Sequence, residues 1–225
     1  MHIEVLVEDA SGAKLIESLL PKVIGSFGEP HTWRIHAYKG IGRLPEGLSN
    51  RADPAKRALL DQLPRLLVGY GKTPGIDAVL VVLDTDQRDC KAFLQELKDV
   101  FGRCDPAPVT MFRLAIEEIE AWLLGDRQAL LTAYPKAKRD VLDRYKQDAV
   151  CGTWELLADV LYPGGSAAVK NVGWPLPGQI KHEWAERVGP NMNIDNNLSP
   201  SFAKFRDGLR RLVALAINGT GRAGK

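Results

Sequence analysis

Carboxylates close three of the four apolar runs in the first half of this chain. Glu8 follows residues 3–7, Asp84 and Asp86 follow residues 76–83, and Glu117, Glu118 and Glu120 follow residues 109–116. If the runs are parallel strands, each delivers its end to the same sheet edge, where open α/β sheets bind their ligands. A group of acids gathered there repels itself unless a cation joins it. Oxygen donors without His or Cys suit a hard ion, Mg²⁺ or Mn²⁺, which takes a few carboxylates together with waters and phosphate oxygens. Glu8, Asp84, Asp86, Glu118 and Glu120 are therefore the candidate ligands for one or two divalent ions. Taken singly, Glu8 or Asp84 reads as a cap for the helix that follows, and Glu118 and Glu120 as acids drawn to a helix N-terminus. Convergence is what favours the metal. Glu117 faces away from both neighbours if the strand persists that far, so it ranks below them.

The elements that must position these acids alternate along residues 1–116. Residues 3–7 read as a short buried strand, and Ser11 as the cap of a helix through Leu15, Leu19, Leu20 and Val23. Residues 32–38 alternate Trp33, Ile35 and Ala37 against Arg34, His36 and Tyr38, as in a half-exposed strand. A glycine-rich loop follows, Lys39-Gly-Ile-Gly-Arg43, expected to be flexible and to offer Lys39 and Arg43 to a phosphate. Asp53 and Pro54 supply a cap and first turn for a helix that stops at Gly69 and Gly71. Residues 76–83, continuous and β-branched, suit a strand covered on both faces in the middle of a parallel sheet. A helix over residues 89–101 and a strand over 109–116 complete the order βαβαβαβ. That order predicts an α/β fold: a parallel four-stranded sheet with helices on both faces.

After Ala121 the pattern turns helical, at residues 127–133, 138–145, 153–161, 179–188 and from a Ser199-Pro200 cap to about 216, with a loop over 162–177 and a frayed end from Thr220. The expected division is residues 1–125 for the site and 126–225 for a helical extension packed on it.

Composition narrows the function classes. The chain has 225 residues, 45% hydrophobic and 26% charged, and its longest apolar run falls far short of a bilayer span. Cys90, Cys104 and Cys151 lack any paired or metal-finger spacing, and the N-terminus lacks a basic, apolar secretory leader. The expected compartment is the cytoplasm. Net charge is +2, but residues 1–120 carry 15 Lys and Arg against 18 acids while residues 121–225 carry 15 against 10. The second half is thus basic enough to face a nucleic-acid backbone, Lys181 included. Gly71-Lys72-Thr73 lacks the earlier glycine of a phosphate loop and precedes a strand. No serine-hydrolase or zinc-protease motif occurs, and His182 reads as a helix surface residue.

The strand closing on Glu8, the later Asp84-x-Asp86 and the βαβαβαβ order resemble the Toprim fold of topoisomerases, primases and OLD-type nucleases. The Glu118-x-Glu-Ala-Trp-Leu-Leu124 segment is similar to that of short bacterial Toprim relatives of undefined function found beside ATPase genes. The resemblance covers roughly residues 1–125. It implies a Mg²⁺-dependent nuclease acting on DNA or RNA, of the kind found in bacterial defence systems, with Glu8, Asp84 and Asp86 catalytic. One departure stands out: many relatives read Glu-Gly-x-Thr-Glu where this chain has Glu8-Asp-Ala-Ser-Gly12, so the second ion falls to Asp9, Glu118 or Glu120. The rival expectation is a weakly active subunit that binds a partner ATPase, nucleic acid or a second copy of itself. For that rival, Trp122, Trp154, Trp174 and Trp184 supply a docking surface, with at least half of them expected in the core.

Overall fold

The most apolar run becomes an interior strand, as its composition requires. In the computed structural model, which describes residues 1–45, 58–148 and 151–220, the first half runs β1 (His2–Val7), α1 (Ala10–Ile24), β2 (Thr32–Ala37), α2 (Leu59–Gly71), β3 (Ala78–Asp84), α3 (Cys90–Phe101) and β4 (Val109–Ala115). The four strands form one parallel sheet in the order β2-β1-β3-β4. Alternate residues of the two inner strands point to opposite layers. Ile3, Val5, Val7, Ala78, Leu80 and Val82 pack with α1, while Leu6, Val79, Val81 and Leu83 pack with α2 and α3. Strand β2 lies at an edge and is correspondingly mixed in character.

The second half comprises α4 (Glu120–Leu124), α5 (Arg127–Ala133), α6 (Arg139–Leu142), α7 (Thr153–Leu161), α8 (Gly165–Val172), α9 (Leu176–Val188), a 3-10 turn (Gly189–Asn191) and α10 (Pro200–Thr220). Its apolar residues do not form a core of their own. Trp184, Val188, Phe202, Phe205 and Leu209 join the layer that α1 makes with the sheet. The junction is aromatic: Trp122 lies 5.6 Å from Phe202 and 4.9 Å from Phe205 between ring centroids, and all three are fully buried. The Trp122 indole N–H donates to Ser201 Oγ at 3.0 Å, and Asn197 Nδ2 donates to the Trp122 carbonyl at 2.7 Å. Ser199 caps α10 as expected, its hydroxyl oxygen accepting from Phe202 N–H at 3.2 Å.

Local expectations fail in three places. The cap of α1 is Asp9, which accepts from Gly12 N–H at 2.7 Å; Ser11 instead donates its hydroxyl to Asp9 at 2.9 Å. The loop expected over 162–177 contains α8, because Gly164 and Gly165 turn the chain in the left-handed region and Asp159 of α7 caps the new helix through Ser166 N–H at 2.6 Å. The helix expected over 138–145 shrinks to the single turn of α6. The Asp53 and Pro54 cap and the frayed end at 221–225 lie outside the described residues, apart from Thr220, which closes α10. Among the described residues, no helix is long and apolar enough to cross a membrane.

Because both halves share one core, Phe205→Ala is expected to lower the unfolding free energy by about 3–5 kcal/mol. Urea denaturation followed by far-ultraviolet dichroism and by tryptophan fluorescence should give one coincident transition; two separated transitions would refute the shared core.

Candidate functional site

Register places the first two acids side by side. Val7 pairs with Val82 across β1 and β3, so Glu8 leaves the end of β1 beside the last residues of β3, Leu83 and Asp84, which stay paired with β4. There Asp84 N–H donates to Glu8 Oε2 at 3.3 Å. The chain beyond β3 is knitted to the chain beyond β4: Thr85 N–H donates to Ala115 O at 3.1 Å, Glu117 N–H to Thr85 Oγ1 at 2.7 Å and Asp86 N–H to Glu117 O at 2.9 Å. Asp86 and Glu117 take left-handed φ values of 48° and 59° at this crossing, unusual for non-glycine residues.

The acids beyond β4 divide by partner. Glu117 turns to the N-terminus of α7, accepting from Gly152 N–H and, at 2.7 Å, from Thr153 N–H. Glu118 accepts from Trp154 N–H at 3.2 Å with its other oxygen 3.3 Å from Lys181 Nζ. The helix dipole that sequence alone would credit to the following segment is therefore that of α7. Glu120, the first residue of α4, is almost wholly buried; its Oε2 lies 3.3 Å from Lys181 Nζ but accepts no hydrogen bond. Lys181 reaches this spot from α9.

Electrostatics follow from crowding and burial. Burial pushes the Glu8 carboxyl up to about 7; Asp86 and Asp9 add to the rise, while Asp84 N–H and Lys181 oppose it. Burial, then Glu8 and Glu120, hold Asp84 well above the usual carboxylate range. Glu118 is pushed up to about 7 by burial and by Glu120, and Glu120 is raised by burial, against the pull of Lys181. For Lys181, burial disfavours the charge, yet Glu120, Glu118, Asp84 and Asp9 outweigh it and hold the ammonium above its ordinary value.

The structure thus brings Glu8, Asp84, Glu118 and Glu120 to one edge with Lys181 among them. Asp86 is within electrostatic reach but exposed, and lines a separate hollow with Arg88, Glu117 and Asp148. Asp9 is occupied as a helix cap. Lys181, expected on an open basic surface, faces carboxylates instead. Lys39 and Arg43 are exposed. The loop that carries Lys39 is pinned rather than loose: Tyr38 N–H donates to Val7 O and Gly40 N–H to Glu8 O, both at 3.0 Å, and Leu59 N–H donates to Gly40 O at 3.0 Å. Lys39 consequently stands beside Glu8 on a cleft of about 860 Å³ that Trp174, Gln179 and His182 close from the helical side. Of the four tryptophans of the second half, Trp122 and Trp184 are buried and Trp154 is half-buried with Lys170 Nζ 5.5 Å from its ring centre, which leaves Trp174 alone on the surface.

The donor set is chemically suited to a hard cation at Glu8 and Asp84, two neighbouring, partly buried carboxylates whose raised proton affinity a positive ion would relieve, and Mg²⁺ needs only one or two protein carboxylates beside water and phosphate. At Glu118 and Glu120 the positive charge is already supplied by Lys181. Among the described residues, no group of three or more His, Cys, Asp or Glu side chains is arranged to hold one metal ion. No family model, curated protein or solved structure matches the chain.

Two variants test this charge arrangement, both in chelator. A native Glu8 carboxyl holds its proton to about pH 7, against the ordinary 4.5 in the unfolded chain. The native state then binds more protons in that window, so this group's contribution to stability falls as pH rises through it. Glu8→Gln is expected to be more stable than the parent at pH 8, with the gain shrinking toward pH 5 in urea titrations. Lys181→Met should cost about 3–5 kcal/mol at pH 8, the loss typical of a buried charge deprived of its partner, and should recover part of it as pH falls below about 7, where Glu118 takes up a proton.

Proposed function

We propose that the chain is a Toprim-like nuclease, a Mg²⁺- or Mn²⁺-dependent phosphodiester hydrolase acting on DNA or RNA. The observation that carries this reading is the meeting of Glu8 and Asp84, at the ends of different strands, with Glu8 lining a cleft that also presents Lys39. Glu8 and Asp84 would hold the ion, with Asp86 at the exposed corner. Bound there, a divalent cation supplies Lewis-acid polarisation of a phosphoryl oxygen and a more acidic water. Lys181 pairs with Glu118 and Glu120 and holds them in place, so the positive charge that a second ion would bring is provided by the chain itself. Lys39 and Arg43 meet the phosphate backbone through charge rather than base identity, which makes binding salt-dependent and largely blind to sequence. Three free thiols accord with a reducing, cytoplasmic setting.

The deciding experiment is cleavage of labelled DNA and RNA with Mg²⁺ or Mn²⁺, with and without chelator. Asp84→Ala/Asp86→Ala is expected to lose activity by ~100-fold or more, the scale seen when one charge-stabilising group is removed from an active site. Equal, chelator-insensitive activity in both proteins would sink the nuclease reading. Lys39→Ala should weaken binding to all sequences alike and lower the salt dependence of affinity by about one phosphate contact.

A further inference from the structure

One wall of the cleft beside Glu8 has no part in holding an ion or a phosphate. Trp174 stands on it with 84% of its surface exposed, more than any other large apolar side chain among the described residues. One exposed apolar side chain needs no explanation by itself, but an indole at the rim of a cleft that also holds a cation and a carboxylate offers a ligand a flat apolar face. The ring is braced from one side: a Cβ placed on Gly178 would come within 3.2 Å of two carbons of its six-membered ring, so the bare glycine of α9 lets the indole settle against the helix. Its remaining surface is open. Across the cleft, the pinned loop carries half-buried Tyr38 and the exposed ammonium of Lys39, anchored by Gly40 N–H to the carbonyl of Glu8. An aromatic plate, a cation and a reactive carboxylate therefore border one space of about 860 Å³.

Those three features match the parts of a single unpaired nucleotide. A base has an apolar π-face whatever its identity, and a phosphate is one sugar away from it. In a double helix both faces of each base are covered by neighbours, so an indole at the rim has nothing to stack on without unstacking the duplex. In a single strand the faces are free, and stacking on aromatic side chains beside a basic groove is the usual way such strands are held. A peptide segment would use the aromatic plate but would leave Lys39 and the acidic end of the cleft without matching groups.

We propose that this cleft takes single-stranded nucleic acid, one unpaired base stacking on Trp174 while the adjoining phosphate lies between Lys39 and Glu8. The proposal rests on the phosphodiesterase reading of the same edge and adds the strandedness of the substrate and the residue that selects it. Trp174 is a positioning residue: it holds the base, and thereby sets which phosphate reaches the acids.

The test is fluorescence anisotropy in Ca²⁺ with four end-labelled probes: single-stranded DNA, single-stranded RNA, a blunt DNA duplex and a single strand whose central nucleotides lack bases. The proteins are the full chain, Trp174→Ala and Trp174→Phe; the exposure of Trp174 leaves the fold intact in both. The full chain is expected to prefer both single strands to the duplex. Trp174→Ala should bind them roughly 5- to 100-fold more weakly, the range for loss of one stacked base, and Trp174→Phe should regain most of that loss. The abasic strand should bind the full chain weakly and be indifferent to either substitution. Unchanged binding by Trp174→Ala, an equal loss on the abasic strand, or a duplex bound as tightly as the single strands would each overturn the proposal. Metal-dependent cleavage that is abolished by Asp84→Ala/Asp86→Ala, combined with Trp174→Ala binding like the parent, would remove the stacking role alone. Absence of both binding and cleavage in the full chain would remove the phosphodiesterase reading with it.

Discussion

A single ammonium group makes the acidic edge of this protein tenable. Lys181 lies 3.3 Å from an oxygen of Glu118 and 3.3 Å from one of Glu120, and its charge also acts on Asp84 and Glu8. Burial raises the proton affinity of these carboxylates, and their closeness to one another adds to the rise. Without that ammonium the carboxyls would hold their protons still more tightly or push their loops apart. The lysine comes from α9, far along the chain from the strands that carry the acids, so the sheet cannot assemble this edge by itself.

The rest of the helical half serves to hold that lysine in position. Helix α9 packs on α1 and is tied to it at the far end by Lys22, whose Nζ donates to the carbonyls of Gly189, Pro190 and Met192 at 3.2, 2.6 and 2.8 Å. Three carbonyls at a helix end are a natural seat for a lysine, since they carry the negative end of the dipole. Helix α10 reaches the sheet through Trp122, Phe202 and Phe205, and α7 is oriented by the side chains of Glu117 and Glu118. These contacts join the helical half to α1, the sheet and the strand ends, and α9 with the residues just before it walls the cleft in front of Glu8. Stability and site geometry are thus two consequences of one packing arrangement.

Much of the framework is readable from residue order. Residues 76–83 are too apolar for an edge strand and do lie inside the sheet; residues 32–38 alternate and do lie at its edge. Helix limits came out well where an apolar stripe or a cap was strong, as at 127–133 and 153–161, and poorly where the deciding group was distant in sequence. The glycines at 164 and 165 read as loop because their neighbours offer no cap; the cap is Asp159, on the preceding helix. Ser11 reads as a cap because serine is a good one, but Asp9 lies two residues earlier, starts the helix there by accepting from Gly12 N–H, and takes the Ser11 hydroxyl as a donor.

For the site, the sequence by itself determined which acids can meet. A buried strand tolerates a carboxylate in its middle only where a partner meets it, as His2 and His36 meet Glu4 in β1, so other acids collect at its ends, and parallel strands bring those ends to one edge. Only the tertiary structure decided what each acid does there. Glu8 and Asp84 are left adjacent, Asp9 is taken by α1, Glu117 and Glu118 by α7, and Glu120 by its pairing with Lys181. Trp174 was one more aromatic in a glycine- and proline-rich stretch until α9 brought it to the rim of the Glu8 cleft. Such pairings depend on which helices lie across the carboxyl edge of the sheet. Packing of apolar faces sets that arrangement, and it leaves no periodic mark at the residues that end up in contact.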